Sequence, residues 1–152
     1  MRVSYNISFY HTKSLRDFAK LYLEYLPTEV NTIVSTGSSG CSIAAAMLCL
    51  SNRPLKHVYI SKVREYRHAD KSQIKNQPIA IVDDFFCSGK TILRLLKTLT
   101  TEYKINKKIY ILVTSGFIKP IDDIAMATIK DEILAYNCKI LNINEVEEND
   151  SY

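Results

Sequence analysis

Apolar residues in this chain fall alternately into short continuous runs, which are typical of buried strands, and into stretches with helical spacing. One helical stretch lies between Ser14 and Pro27, where the first four residues have capping-box spacing. The opening run, 3–10, alternates loosely and is predicted to be a strand or an edge segment. Further strands are predicted at 30–35, 57–63, 79–82, 108–114 and 138–143, and further helices at 43–50, 92–99 and 121–136.

Strands that alternate with helices predict an α/β fold, in which a mostly parallel twisted sheet is flanked by helices in a three-layer arrangement. The length of 152 residues predicts one domain, 1–152. Within it, we expect the charged segment at about 64–77 to be a flexible lid and 145–152 to be an acidic tail. Ligands of such sheets bind where the strand order reverses, at the carboxyl ends of the strands. We therefore expect the functional residues in the loops after Ser35 and Val82.

The loop after Val82 contains adjacent carboxylates and a turn that leads into a helix. Asp83 and Asp84 end the strand, and Gly89 allows the backbone to approach an anion at the amino end of the helix. The run 88–91 is similar to the end of a nucleotide P-loop, but that pattern requires glycine where this chain has Asp84. A carboxylate there would repel phosphates, so we reject a P-loop. The acid pair instead suits the vicinal hydroxyls of a ribose, although a solvated turn is the alternative for this pair alone.

The loop 35–40 combines two glycines with hydroxyl side chains ahead of a predicted helix. Backbone amides in such a loop form a concave set of donors for an anion, and an ordinary strand-to-helix turn is the alternative. A serine nucleophile is disfavoured because the run 37–40 lacks the G-x-S-x-G spacing.

Composition narrows the class of protein. The net charge of +4 is too small for a dedicated duplex-binding protein, so nucleic acid is not the expected partner. No apolar run approaches a membrane span and no signal peptide is recognisable, which predicts a cytoplasmic protein with no membrane partner. The cysteines, Cys41, Cys49, Cys87 and Cys138, lack the spacing of a zinc site and are predicted to be reduced thiols.

The segment 82–91 resembles the PRPP-binding signature of type I phosphoribosyltransferases, and the element order over 30–114 is similar to theirs. The resemblance implies a type I phosphoribosyltransferase-like fold, here with a minimal hood, in which Asp83 and Asp84 hold the ribose hydroxyls of PRPP. It implies that Lys62 and Arg64 act with this acid pair in catalysis. It further implies that Cys87, Ser88, Gly89, Lys90 and Thr91 bind the 5′-phosphate, and that Thr36, Gly37, Ser38, Ser39, Lys62 and Arg64 bind the pyrophosphate.

The activity implied by this resemblance is a Mg²⁺-dependent transfer of phosphoribose from PRPP to a small nitrogenous base, with release of pyrophosphate, in nucleotide metabolism. The Mg²⁺ would be held by PRPP oxygens near Asp83 and Asp84, without a direct protein ligand. Cys87 and Thr114 stand where the 6-oxopurine branch has an acid and a lysine, so a 6-oxopurine acceptor is disfavoured.

Two alternatives remain open at the level of sequence. The chain could be a non-catalytic module of the same fold that binds PRPP or a nucleotide for regulation, or a different sheet enzyme for another phosphosugar. The segment 1–26, which carries Tyr5, Phe9 and Tyr10, and the turn 115–118 are candidates for the hood over the acceptor. The resemblance also suggests a homodimer.

Overall fold

Five of the predicted strands form a parallel sheet in the computed structural model, which describes residues 12–62, 74–86, 89–116 and 124–143. The helices within these ranges are α1 (Thr12–Tyr25), α2 (Gly37–Leu50), α3 (Lys90–Thr101) and α4 (Ile124–Leu134). The main strands are β1 (Thr32–Ser35), β2 (Lys56–Tyr59), β3 (Ile79–Val82), β5 (Ile109–Val113) and β7 (Cys138–Asn142). The two-residue strands β4 (Phe85–Phe86) and β6 (Ser115–Gly116) pair with each other.

The strand order in the five-stranded sheet is β2-β1-β3-β5-β7, and all of these strands are parallel. From β1 the chain crosses to β2 on one side, whereas β3, β5 and β7 follow on the other side. The strand order therefore reverses between β1 and β3, where Val34 lies opposite Ile81. This arrangement confirms the predicted α/β fold and places the loops after Ser35 and Val82 side by side at the reversal.

Each face of the sheet has its own apolar core, because neighbouring residues of a strand point to opposite faces. Ile79 and Ile81 pack in one cluster with α3 and the buried Ile133 of α4. Ala80 and Val82 pack in the other cluster with α1 and α2. The chain thus has three layers, and the strands read as continuous apolar runs because both faces are covered.

Several predicted boundaries differ from the structure. α2 begins at Gly37 rather than at Ile43, so Gly37, Ser38 and Ser39 lie in its first turn and not in a loop. β2 ends at Tyr59, opposite the last residue of β1, and does not continue to 63. Ser115 and Gly116 lie in β6 rather than in a turn, because they pair with β4.

Three predicted features lie wholly or mostly outside the described residues: the opening strand 3–10, most of the lid 64–77, and the acidic tail 145–152. Of the lid, 74–77 is described and packs against the body of the domain. Ile74 is buried in the core, and the Gln77 amide donates a hydrogen bond to Thr32 Oγ1 over 2.8 Å. In the described part of the chain, we find no helix that has both the length and the apolar character to span a bilayer.

Removing part of the α3 contact should test the core of this sheet. Leu96 is fully buried, and we expect Leu96→Ala to lower the free energy of unfolding by about 2 to 5 kcal/mol through lost burial and a residual cavity. Leu134, which is 52% exposed, is the matched control, and its change to alanine should cost less than about 1 kcal/mol. Urea unfolding of both variants measures the difference; equal costs would contradict the described packing.

Candidate functional site

The turn after β3 holds Asp83 and Asp84 at the carboxyl edge of the sheet through backbone hydrogen bonds. The Asp83 amide donates to the Leu112 carbonyl over 3.2 Å. The Asp84 carbonyl accepts from both the amide and the hydroxyl of Thr114, over 2.8 and 2.6 Å. A further residue, Tyr22 of α1, donates its hydroxyl to the Asp83 carbonyl. These contacts fix the turn between β3 and β5 and link it to the α1 layer.

The two carboxylates lie in an environment that disfavours a double negative charge. Burial raises the pKa of Asp83 to about 7, and the hydrogen bond and like charge of the Asp84 carboxyl add to this effect. The Asp84 amide, which donates to Asp83 Oδ1 over 3.0 Å, and the charge of Lys62 act in the opposite direction. Asp84 itself is buried. The pair therefore forms a site that a cation or hydroxyl donors would stabilise in its charged form.

The amino end of α2 packs directly against this acid pair. A Cβ atom at Gly40 would lie 2.5 Å from the Val82 carbonyl oxygen and 3.5 Å from Asp83 Oδ1. The first of these distances is shorter than any normal contact, so only glycine allows the helix to approach the end of β3 so closely. The sequence therefore brings the first turn of α2 beside the carboxylates.

Lys62 lies above the start of α2, next to the predicted pyrophosphate loop. A Cβ atom at Gly37 would be 4.0 Å from Lys62 Nζ, and Gly37 has a φ of +81°. Thr36 is buried with an extended backbone and makes no side-chain cap, while Ser38 is exposed and Ser39 half-buried. Backbone amides of a first turn with a cation above them form a suitable environment for an anion.

The amino end of α3 forms a second such environment. Gly89 precedes the helix with φ 79° and ψ −2°, a left-handed conformation that favours glycine, and it makes no side-chain cap. Thr91 is half-buried and Lys90 is exposed in the first turn. Of the predicted phosphate and pyrophosphate residues, Cys87, Ser88 and Arg64 lie outside the described residues.

A narrow cleft lies between the amino ends of α2 and α3. Its lining includes Thr36, Lys62 and Thr91, so the structure brings together residues from both predicted anion sites. Arg94 also lines it, although the sequence analysis assigned this residue no role. The signal was present in the sequence, because Arg94 lies three residues after Thr91 and so shares its helix face.

Ser35, at the start of the candidate loop, is not a nucleophile. Its hydroxyl lies 2.7 Å from His57 Nε2, but the residue has no exposed surface. Burial lowers the pKa of His57, which favours the neutral ring. This pair connects β1 to β2 beneath the site.

The raised pKa of Asp83 predicts a pH-dependent stability. Folding takes up a proton between the ordinary value of 3.8 and about 7, so the stability from protonated Asp83 is present below about pH 4 and lost as pH rises to about 7. Above pH 7, the uncharged variant Asp83→Asn should therefore have a higher free energy of unfolding in urea than the wild type, by roughly 1 to 3 kcal/mol. The gain should vanish near pH 4. Asp131→Asn, at an exposed position of α4, is the control; an Asp83→Asn gain that did not vary with pH would contradict the prediction.

Comparison with known proteins identifies the fold. A scan of protein-family models found no match, and a search of curated protein sequences also found none. Among solved structures, orotate phosphoribosyltransferase from Francisella tularensis has a TM-score of 0.67 at 20% identity, covering 93% of this chain and 72% of that one.

Two further solved structures are similar to this chain. Orotate phosphoribosyltransferase from Mycobacterium tuberculosis, in complex with PRPP, has a TM-score of 0.64 at 11% identity, covering 89% of this chain and 76% of that one. Adenine phosphoribosyltransferase from Saccharomyces cerevisiae has a TM-score of 0.60 at 17% identity, covering 90% of this chain and 82% of that one. With its parallel five-stranded sheet between helical layers, the chain therefore has the type I phosphoribosyltransferase fold.

Proposed function

We propose that this protein binds PRPP at the carboxyl edge of the sheet and transfers its phosphoribosyl group to a nitrogenous base. The observation that carries the proposal is the placement of the acid pair, Asp83 and Asp84, beside the first turn of α2, with Lys62 lying over that turn. A sugar diphosphate requires hydrogen-bond acceptors for its hydroxyl groups and hydrogen-bond donors for its anionic phosphates. The PRPP in the Mycobacterium tuberculosis structure of the same fold supports this ligand.

Each part of PRPP has a proposed set of partners. The carboxylates of Asp83 and Asp84 accept hydrogen bonds from the vicinal ribose hydroxyls. The 5′-phosphate binds at the amino end of α3, through Gly89, Lys90 and Thr91 with Cys87 and Ser88. The pyrophosphate binds at the amino end of α2, through Thr36, Gly37, Ser38 and Ser39 with Lys62 and Arg64.

The proposed reaction is a displacement at C1 of the ribose. The bond between C1 and the pyrophosphate oxygen breaks, and its electron pair leaves with pyrophosphate. The base nitrogen forms the new bond to C1 and releases its proton. Because positive charge develops on the ribose and negative charge on the leaving group, the acid pair and Lys62 stabilise both ends of the transition state while holding the sugar in place.

The described residues fit a Mg²⁺ ion that is held mainly by its substrate. Within the described ranges, no cluster of three or more histidine, cysteine or acidic side chains could hold a metal. Mg²⁺ in phosphate-binding sites keeps several waters and takes phosphate oxygens of the substrate as ligands. The ion would be held by PRPP oxygens near Asp83 and Asp84, without a direct protein ligand, and would neutralise charge on the diphosphate.

The proposed acceptor is a base other than a 6-oxopurine. Thr114, at the position where that branch has a lysine, donates its hydroxyl to the Asp84 carbonyl. Thr114 therefore supports the turn that holds the acid pair, and its uncharged side chain does not supply the positive charge that a lysine would bring to a base oxygen.

Loss of both carboxylates should abolish ribose binding. We expect Asp83→Asn with Asp84→Asn to weaken the affinity for PRPP by at least about 100-fold, since charge-assisted hydrogen bonds to two hydroxyls are lost. Calorimetric titration with PRPP and Mg²⁺ measures this. The control is Asp131→Asn with Glu132→Gln, which removes the same charge from an exposed face of α4. Equal affinities of the two double variants would contradict the proposed sugar site.

Turnover separates an enzyme from a binding module. We expect pyrophosphate release when the protein is incubated with PRPP, Mg²⁺ and a panel of adenine, pyrimidine and other bases. PRPP binding without release for any base would overturn the transferase and favour a regulatory module that binds the same ligand. Binding of another phosphosugar in preference to PRPP would overturn both.

Arg94 should contribute to anion binding across the cleft. Because Arg94 lines the same cleft as Lys62, we expect Arg94→Gln to weaken pyrophosphate affinity by roughly 3- to 10-fold at low salt and less at high salt. Lys97→Gln is the matched control, since Lys97 lies on the same helix but pairs with Glu132 of α4 over 3.7 Å. Titration at two salt concentrations distinguishes them; a larger loss for Lys97→Gln would place the anion elsewhere.

A further inference from the structure

We propose that Tyr22 of α1 is a positioning residue that orients the acid pair for ribose binding. The inference rests on the proposed function, because it assigns Tyr22 a role through Asp83 and Asp84. Tyr22 itself is not expected to touch the ligand: it has no exposed surface and lies in the apolar cluster beneath the sheet edge.

The contact is made by a single polar atom. Tyr22 Oη donates a hydrogen bond to the backbone carbonyl of Asp83 over 2.5 Å. The hydroxyl remains a donor throughout the physiological range, because burial, followed by the charges of Asp83 and Asp84, raises the pKa of Tyr22 well above its ordinary value. This hydrogen bond is a polar link between α1 and the turn of the acid pair.

The remaining contacts of the turn come from within the sheet. The Leu112 carbonyl accepts a hydrogen bond from the Asp83 amide, and the amide and hydroxyl of Thr114 donate to the Asp84 carbonyl. Tyr22 holds the carbonyl between these two points, and this carbonyl belongs to the peptide unit that joins the two acidic residues. Rotation of that peptide would turn the Asp84 amide away from Asp83 Oδ1, the 3.0 Å contact that helps to hold the Asp83 carboxylate. The Tyr22 hydroxyl therefore restrains both the backbone and a carboxylate oxygen of the pair.

Packing alone does not require this hydroxyl. A phenylalanine ring would fill the same apolar volume, whereas a buried hydroxyl is costly unless it is hydrogen-bonded. Tyr110 provides a comparison in the same protein. Its hydroxyl donates to a Glu29 carboxylate oxygen over 2.5 Å, but this contact is exposed and lies near the amino ends of the strands. The two tyrosines thus make similar hydrogen bonds at opposite edges of one sheet.

The test compares Tyr22→Phe with Tyr110→Phe, using ribose 5-phosphate and inorganic phosphate as probes. Ribose 5-phosphate uses both the acid pair and the amino end of α3, whereas inorganic phosphate requires no contact with the acid pair. We expect Tyr22→Phe to weaken ribose 5-phosphate binding roughly tenfold and to change phosphate binding less than about twofold. Tyr110→Phe should change neither affinity. Titrations followed by NMR, with the fold of each variant checked by circular dichroism, provide both affinities.

The outcomes separate the inference from the proposed function. If the wild-type protein does not bind ribose 5-phosphate, the proposed function fails, and the role of Tyr22 fails with it. If the wild type binds it and Tyr22→Phe loses affinity for neither probe or equally for both, the positioning role alone is overturned. Failure of Tyr22→Phe to fold would also overturn it, because the hydroxyl would then be a requirement of the whole fold. A selective loss for ribose 5-phosphate supports the role.

Discussion

β1 and β3 pair in parallel where the strand order reverses. α2 follows β1, the turn with the acid pair follows β3, and Gly40 of α2 packs against the Val82 carbonyl at the end of β3. Because Gly40 has no side chain, α2 approaches the end of β3 and brings its first turn beside Asp83. The positions of the candidate anion loop and of the acid pair are therefore coupled by one backbone contact. A side chain at this point would separate them.

The site opposes the stability of the fold that carries it. Burial gives Asp83 a pKa of about 7, so near neutral pH the protein keeps a carboxylate where a neutral amide would be more stable. A local cost of this kind is common at functional sites, where groups are held ready for a ligand rather than for each other. Gly37 and Gly89, at the starts of α2 and α3, adopt left-handed conformations that glycine accepts without steric cost, and they lie at the same edge of the sheet.

The sequence predicted the central strands and the acid pair because continuous apolar runs and adjacent carboxylates are local signals. It did not predict the start of α2, since the glycines and serines at 37–40 have weak helix propensity and resemble a loop; their helical form depends on packing against β3. The pairing of Phe85–Phe86 with Ser115–Gly116 was also missed, because two-residue strands leave no periodicity. The sequence indicated no role for Tyr22, which lies in the predicted helix between Ser14 and Pro27, since spacing cannot show what a hydroxyl reaches.

The hydrogen bond between Tyr22 and Asp83 joins residues 61 positions apart in the chain. Between them lie β1, α2, β2 and β3, and parallel strands can pair only after the intervening crossovers have closed. Contacts of such long range form slowly relative to local helices, because the entropy of loop closure opposes them before they are stabilised. We therefore expect the geometry of the acid pair to form late in folding. A chain that has gained its helices but not its complete sheet would still lack the ordered acid pair.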